Sequence, residues 1–388
     1  MLTLRLKPTS SVAFTIPRQT TIHQIQRRTL FSFPRLFADS RREQHRSRDP
    51  QTGLKTPVPD GSADKKSASP FYFAAGYAGW AKRPSRPFPP PFFSPPSGSF
   101  SDPLSTTHRS MDRRPKVDGQ MIRGVTNGDD AMLVSETLIA TNDGVGAWAT
   151  RERGCAPLWS RLIAHFMALS AEKALYAGGE DGEPEPVKWL EEAYEHTKAA
   201  LSEPNEWHGT TTTSAALLHW KDDKPLVYVT QLGDCKVLVV RPQESGEGKV
   251  LFSSVEQYHY FDCPRQLGTN SPDTPEGNAV LDKVDVEEDD VVLALSDGVT
   301  DNLWEEEISD YAAGALKTIK EKHGHDFDLQ QAMKYVAQEI VLAARKIAED
   351  PFAASPFMEK AVEEGLAIEG GKPDDISVVA AICKRRKG

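Results

Sequence analysis

Two apolar stretches far apart in the sequence both end in the dipeptide Asp-Gly. The first runs into Asp143-Gly144, and the second, VVLALSDGVTDN at 291–302, runs into Asp297-Gly298. Apolar runs bounded by turn residues predict buried strands, and glycine lets the chain turn sharply after each aspartate. A carboxylate beside an exposed main-chain carbonyl suits a hard divalent cation. Either motif alone could be an ordinary Asp-Gly hairpin turn, but two strands with the same ending favour a shared site.

Two acidic pairs stand at the heads of further apolar strands. Asp374-Asp375 precedes the run ISVVAAI, and Asp129-Asp130 precedes the run AMLVS. Adjacent carboxylates repel each other unless a cation or hydrogen-bond donors compensate, although Asp374-Asp375 could also be an exposed capping pair. Asp234, in a turn between two strands, is the fifth acidic element. The acidic runs 287–290 and 305–307 are predicted instead to be solvated.

Charge and cysteine content limit the kinds of site that the chain can build. With 388 residues and a formal net charge of −10, it lacks the basic balance of a general nucleic-acid binder. Its four cysteines form no CxxC pair, which predicts free thiols in a reducing compartment. No apolar run approaches the roughly 20 residues of a membrane-spanning helix, and neither GxGxxG nor a P-loop motif occurs. Any metal site must therefore use mainly oxygen ligands.

Hydrophobic periodicity predicts a mixed α+β domain. Strands are predicted at 131–135, 137–141, 226–230, 236–240, 291–295 and 376–382, and the apolar segment 71–80 could begin the domain as a further strand. Helices are predicted at 158–169, 187–201 and 329–347, the last of them stopped by Pro351. Hairpin-like spacing between the strands favours an antiparallel α+β sandwich over a doubly wound sheet.

The N-terminal segment predicts targeting and not fold. Residues 1–38 contain six Lys or Arg and no Asp or Glu, so residues 1–39 are predicted to be a mitochondrial presequence, with a disordered basic tail as the alternative. Residues 40–69 predict a disordered linker, and residues 70–385 the folded domain. The domain carries a proline-rich insertion at 83–115. Its proline-dense part, 83–99, predicts an elongated surface loop, the alternative being a ligand for a proline-recognising module.

Five motifs resemble, in order and spacing, those of the type 2C metal-dependent serine/threonine protein phosphatases. They are DGVGAW (143–148), GTTTTSAALL (209–218), QLGDCKVLVVR (231–241), LSDGVTDN (295–302) and KPDDISVV (372–379). The stretches QYHYFDCPRQL (257–267), DPFAASPF (350–357) and GGKPDDISV (370–378) resemble the mitochondrial branch of that family. The resemblance covers roughly residues 70–385.

The resemblance implies a fold and a set of metal ligands. The fold is a four-layer α-β-β-α sandwich, in which two central antiparallel β-sheets are flanked by helices. The implied metal ligands are Asp130, Asp143, Gly144, Asp234, Asp297, Asp374 and Asp375, and Asp143, Asp297 and Asp374 form the catalytic set. Asp130, with Asp129 behind it, is expected to act through waters.

The resemblance also implies the roles of these residues. Asp143 bridges two Mg²⁺ or Mn²⁺ ions, Gly144 lends its carbonyl to one of them, and Asp297 and Asp374 hold the other. Asp234 matches a third, weaker metal position. The implied reaction is hydrolysis of phosphoserine and phosphothreonine by metal-activated water. The implied partners are phosphoproteins, in the mitochondrial matrix.

The sequence departs from the family pattern in four places. Ala147 stands where glycine is usual, Cys235 where serine is usual, and Val145 where many members carry a histidine. The usual phosphate-binding arginine has no clear counterpart, and Arg151 or Arg153 could replace it. A pseudophosphatase that binds phosphoproteins without cleaving them and a hydrolase of small phosphate esters stay open as alternatives. The sequence leaves the oligomeric state open.

Overall fold

The described part of the chain contains most of the predicted domain. The computed structural model describes residues 69–93, 114–177, 183–324 and 327–387, and all of them belong to one unit, residues 65–388. The predicted presequence and nearly all of the predicted linker lie outside the described residues, as does the stretch 94–113 of the proline-rich insertion. Among the described helices, none is both long enough and apolar enough to cross a membrane.

Seventeen strands, seven α-helices and one 3-10 helix are described. The strands are β1 Phe71–Trp80, β2 Lys116–Val117, β3 Gln120–Met121, β4 Val125–Asn127, β5 Asp130–Val134, β6 Leu138–Asn142, β7 Thr210–Thr211, β8 Thr213–Lys221, β9 Lys224–Leu232, β10 Lys236–Pro242, β11 Gly248–Ser253, β12 Tyr258–Tyr260, β13 Cys263–Pro264, β14 Leu267–Gly268, β15 Val280–Asp285, β16 Val291–Leu295 and β17 Ile376–Arg385. The helices are α1 Ala156–Ala177, α2 Pro186–Ala200, α3 Pro275–Asn278, α4 Asp297–Thr300, α5 Glu305–His323, α6 Leu329–Ala348 and α7 Pro356–Glu363, and the 3-10 helix is Gly146–Thr150.

Two antiparallel sheets form the centre of the domain. One has five strands in the order β1-β17-β16-β10-β11, and the other has six in the order β15-β9-β8-β6-β5-β4. A buried cluster joins residues of both sheets, such as Phe73 and Ile139, so one face of each sheet packs against the other. The opposite face of the six-stranded sheet shares a cluster with α1 and α2. The opposite face of the five-stranded sheet shares one with α5 and α6.

The predicted mixed α+β class is confirmed, and the predicted strands and helices all occur, with ends shifted by a few residues. Helix α6 begins after Asp328, whose carboxylate accepts the Gln330 and Gln331 N–H groups as an N-cap. The predictions of solvated charge hold for Glu287, Glu288, Asp289, Glu306 and Glu307, which are exposed, but not for Asp290. The run 305–307 opens helix α5, where acidic residues stabilise the positive end of the helix dipole. Asp290 is buried and bonded to the Arg241 guanidinium.

The described part of the proline-dense segment, 83–93, contains no helix or strand, as predicted for a loop, but it does not lie wholly on the surface. Phe88 and Phe92 are buried in the cluster that contains helices α1 and α2. Trp207 Nε1 donates a hydrogen bond to the carbonyl oxygen of Pro90. Proline removes backbone donors but does not prevent its neighbours from packing, and fully burying one phenylalanine contributes about 1.5–3 kcal/mol.

Candidate active site

The predicted ligands come from five segments of the chain, drawn from both central sheets. Asp130 opens β5, and Asp143 follows β6 in the six-stranded sheet. Asp234 lies in the turn between β9 and β10. Asp297 follows β16, and Asp374-Asp375 precedes β17, in the five-stranded sheet. We call Asp130, Asp143, Asp234, Asp297, Asp374 and Asp375 the acidic site.

The carboxylates of the acidic site raise one another's pKa. Burial, and then the charges of Asp143 and Asp375, raise the pKa of Asp130 well above its ordinary value. Burial, and then the charges of Asp297 and Asp374, do the same to the pKa of Asp143. The sequence motifs predicted strand ends, and the tertiary structure brings those ends close enough for mutual repulsion.

Three oxygens of the site are buried and have no hydrogen-bond partner among the described residues. They are the Oδ1 atoms of Asp130, Asp234 and Asp297. An unpaired buried carboxylate oxygen is costly, and a hard cation is the partner that such oxygens prefer. Position 144 requires glycine for a steric reason, because a Cβ there would lie 2.2 Å from the carbonyl oxygen of Asp129. The unpaired carboxylate oxygens are donors of the kind that Mg²⁺ or Mn²⁺ prefers.

Lysine ammonium groups contact several of these carboxylates. Within the described residues, no three Asp, Glu, His or Cys side chains are arranged closely enough to hold a metal ion by themselves. The Nζ of Lys82 is bonded to Asp374, and the Nζ of Lys372 lies 3.1 Å from Oδ2 of Asp297. Neither lysine was assigned to the site from the sequence, although Lys372 stands two residues before Asp374 in the motif KPDD.

Asp375 ties three segments together. Its Oδ1 accepts the N–H of Lys82 over 2.8 Å, and its Oδ2 accepts the N–H of Asp129 over 2.8 Å. The neighbouring Gly128 has φ +64, and a Cβ there would lie 2.2 Å from this carboxylate. Only glycine satisfies both conditions. The alternative that Asp374-Asp375 is merely an exposed capping pair does not describe Asp375, which is buried.

The run of threonines at 210–213 fixes the main chain on which Asp143 stands. The Asp143 carbonyl accepts the Thr211 hydroxyl over 2.7 Å and the Thr212 N–H over 2.9 Å. The Thr213 hydroxyl donates to Oδ1 of Asn142 over 2.7 Å. Buried threonine hydroxyls supply these donors, which accounts for the motif GTTTTS.

Neither arginine suggested for phosphate binding has a described contact with the acidic site. Arg153 has φ +54 and pairs with Glu206, 3.6 Å away, and Arg151 is exposed. Arg153 lines a surface cleft of about 860 Å³, whose lining residues are Glu152, Arg153, Glu203, Pro204, Glu206 and His208. Arg83, in contrast, approaches Asp129 within 3.9 Å.

Asp301 is a further member of the site that sequence reasoning left without a role. It is buried, its Oδ2 lies 2.8 Å from the Nζ of Lys372, and burial raises its pKa to about 6. The signal was present in the motif LSDGVTDN. Asp301 stands four residues after Asp297, a spacing that places both on one side of a helical turn.

Comparison with known proteins identifies relatives that match between 66% and 68% of the chain. The chain is 34% identical over 260 residues to probable protein phosphatase 2C 80 of Arabidopsis thaliana, covering 66% of this chain and 54% of that relative's length. It is 30% identical over 277 residues to the protein phosphatase PTC7 homolog of Danio rerio, covering 68% of this chain and 84% of the relative. The Homo sapiens PTC7 homolog is likewise 30% identical, with 82% of it covered.

Among solved structures, the photosystem II phosphatase PBCP is similar in fold. The TM-score is 0.51 at 25% identity, and the match covers 66% of this chain and 92% of that structure. No protein-family model matches the chain. The Danio rerio and Homo sapiens relatives match the chain over 84% and 82% of their own length. The chain therefore belongs to the type 2C family of serine/threonine protein phosphatases.

Proposed function

We propose that this protein hydrolyses phosphoserine and phosphothreonine in proteins and requires Mg²⁺ or Mn²⁺. The observation that carries the proposal is the proximity of buried and half-buried carboxylates from five distant segments. Asp130, Asp234 and Asp297 each have a buried oxygen with no hydrogen-bond partner among the described residues. Such a concentration of negative charge destabilises a fold unless a cation compensates for it. Oxygen ligands alone favour Mg²⁺ or Mn²⁺ over zinc.

Apart from Asp375, the proposed ligands keep the roles that the family resemblance implies. Asp143 would bridge two ions with the Gly144 carbonyl beside it, and Asp297 and Asp374 would hold the second ion. Asp234 would serve a third, weaker position. Two further aspartates act at the edge of this set: Asp130 through waters, and Asp375 as a brace, because each of its oxygens already accepts a main-chain N–H.

When bound, the divalent ions supply positive charge that acidifies water and neutralises phosphoryl oxygens. The chain's own residues prepare the site for them. The threonines at 211 and 212 hold the Asp143 main chain in position. Lys82 and Arg83, which pair with Asp374 and Asp129, provide cations at the site that could also attract a phosphate dianion.

The proposed function is tested with the full chain, Mn²⁺ and two substrate panels. One panel holds peptides with phosphoserine or phosphothreonine, and the other holds small phosphate esters. The proposal is supported if the wild-type chain hydrolyses the peptides and the Asp143→Asn variant does not. Turnover of small esters alone would favour a metabolite hydrolase, and binding of phosphopeptides without turnover would favour a pseudophosphatase.

We propose further that the protein acts in mitochondria on mitochondrial phosphoproteins. The support is the composition of residues 1–38, with six basic residues and no acidic ones. A fusion of residues 1–40 to a fluorescent reporter should enter mitochondria, and the same fusion with Arg27 and Arg28 replaced by Glu should enter less efficiently. Diffuse cytosolic signal from the first fusion would refute the location and leave the enzymatic proposal intact.

A further inference from the structure

Lys372 places one ammonium group among three carboxylates at the edge of the acidic site. Its Nζ lies 3.1 Å from Oδ2 of Asp297, 2.8 Å from Oδ2 of Asp301 and 2.9 Å from Oδ1 of Asp262. An ammonium group has three donors, so each can serve one carboxylate. Asp297 and Asp301 are buried, whereas the Asp262 side chain is 51% exposed. The ammonium therefore stands between the interior of the site and solvent.

The main chain of Lys372 is held firmly, while its side chain keeps its rotatable bonds. The Lys372 N–H donates to Oδ1 of Asn302 over 2.9 Å, and Nδ2 of Asn302 donates to the Lys372 carbonyl over 2.9 Å. The Nζ also lies 4.9 Å from the centre of the Phe357 ring, a further favourable surface for a cation. A change of partner for the ammonium thus needs only rotation of a flexible stem.

Asp297 is at the same time one of the proposed metal ligands. Its Oδ2 is bonded to Lys372, and its Oδ1 is buried without a partner. Two cations that share one buried carboxylate repel each other strongly, because the protein interior screens charge poorly. Without a divalent ion, however, the ammonium offsets the repulsion between Asp297 and Asp301. Lys372 and a divalent metal ion therefore compete for the carboxylate of Asp297.

We propose that Lys372 is a built-in counter-ion that neutralises Asp297 and Asp301 in the metal-free protein and that, when a divalent cation binds, gives up Asp297 and stays bonded to Asp262. This inference rests on the proposed function, because it takes Asp297 as a metal ligand. It gives Lys372 two effects: stabilisation of the metal-free fold and a lower affinity for metal. Removal of the Lys372 ammonium should then tighten metal binding, and removal of the Asp262 charge should weaken metal binding.

Calorimetric titration of Mn²⁺ into the metal-free full chain measures the affinity for metal, and thermal melting in chelator measures the stability of the metal-free fold. Lys372→Met removes the charge and keeps most of the stem. It should bind Mn²⁺ about tenfold more tightly and melt at a lower temperature in chelator. Asp262→Asn should bind Mn²⁺ about threefold more weakly. Asp262 is exposed and has φ +56, a conformation that asparagine tolerates, so this variant should fold.

Lys236→Met is the matched control. Lys236 is a buried lysine that contacts Glu256 at 3.2 Å and Glu305 at 2.6 Å, neither of them a proposed ligand. Its replacement should lower the melting temperature with and without Mn²⁺ and leave the Mn²⁺ affinity unchanged. A comparable rise in Mn²⁺ affinity in this control would overturn the inference, because loss of any buried lysine would then be enough to tighten Mn²⁺ binding.

The outcomes separate this inference from the proposed function. If the wild-type chain binds Mn²⁺ and Lys372→Met binds it equally or less tightly, the inference fails while the proposed function stands. If the wild-type chain binds no Mn²⁺, both fail. Should Lys372→Met not fold in chelator, Asp262→Asn decides: weaker Mn²⁺ binding supports the displaceable lysine, and unchanged binding overturns it.

Discussion

The Ser377 hydroxyl donates a 2.7 Å hydrogen bond to Oδ2 of Asp130, joining β17 of one central sheet to β5 of the other. The two residues are 247 positions apart in the sequence. The other oxygen of Asp130 is buried and has no partner. This hydroxyl therefore helps a fully buried carboxylate to carry its negative charge, and it lowers the pKa of Asp130 against the upward effect of burial and of Asp143.

Ser377→Ala should destabilise the metal-free protein by about 1–2 kcal/mol, because a buried acceptor loses its donor. It should also weaken Mn²⁺ binding several-fold, since the cation must then displace a more tightly held proton from Asp130. Urea unfolding in chelator and calorimetric Mn²⁺ titration check the two effects. Ser355→Ala is the control: Ser355 is buried and caps helix α7, so its loss should cost about 1 kcal/mol without changing Mn²⁺ affinity. Equal Mn²⁺ affinity in all three proteins would contradict the proposed role of Asp130.

Asp297→Asn should reduce Mn²⁺-dependent turnover of a phosphopeptide by far more than tenfold and leave the protein folded. The substitution keeps the volume and removes a ligand charge, and direct contributors to transition-state stabilisation usually cost about 10²–10³ in rate. Asp328→Asn is the matched control, because asparagine caps helix α6 as well as aspartate does. Retention of more than about a tenth of wild-type turnover would argue against the two-metal assignment.

Asp234→Ala distinguishes a metal ligand from a hairpin cap. The Oδ1 of Asp234 is buried without a partner, and burial followed by the charges of Asp297 and Asp143 raises its pKa well above the ordinary value. Its removal should therefore not lower the melting temperature in chelator. Turnover should fall much more than KM rises, the pattern of an interaction made mainly in the transition state. Unchanged kcat with a loss of about 1 kcal/mol in stability would identify a cap instead.

Phe92→Ala should cost about 3–5 kcal/mol of unfolding free energy, in spite of the proline-rich context of the residue. Phe92 is only 3% exposed and packs in the cluster with α1 and α2, so its loss opens a cavity. Phe352→Ala removes the same group from a side chain that is 85% exposed and should cost less than about 0.5 kcal/mol. Equal small losses, measured by urea unfolding, would mean that the segment does not stabilise the domain.

His165 should make the fold sensitive to mild acid. Burial, and then the charges of Arg123 and Arg161, lower its pKa from 6.5 to about 4, and its Nδ1 accepts the N–H of Arg123 over 3.1 Å. The unfolded chain takes up a proton near pH 6.5, whereas the folded chain does so only near pH 4. Stability contributed by the neutral ring is therefore complete above about pH 6.5 and is lost as the pH falls towards 4, by up to about 3 kcal/mol.

The matching variant is His165→Asn, which can still accept the Arg123 N–H but does not titrate. Between about pH 7 and pH 4.5 it should lose less stability than wild type in urea unfolding with chelator present. His323→Asn, at the exposed end of α5, should follow the wild-type curve. Parallel curves for all three proteins would show that His165 does not stay neutral in the fold.

Local patterns account for much of what could be predicted. An apolar run followed by Asp-Gly predicts a strand and its end, so Asp143 and Asp297 could be placed at strand ends without a structure. The periodic apolar face of α6 predicted a helix whose bounds are nearly those observed. Charge runs were harder to interpret, because an acidic stretch can be solvated, can open a helix as 305–307 does, or can end in a buried carboxylate that pairs with an arginine, as Asp290 does.

The sequence by itself determined the acidic residues of the site, their order along the chain and the family to which that order points. The tertiary structure alone decided which cations face them, that Asp375 braces the site and that Phe92 is buried. Lys82 meets Asp374 and Asp375 across separations of 292 and 293 positions. No local pattern encodes such a pairing, because it depends on how two sheets pack and on which side chains that packing leaves beside a buried charge.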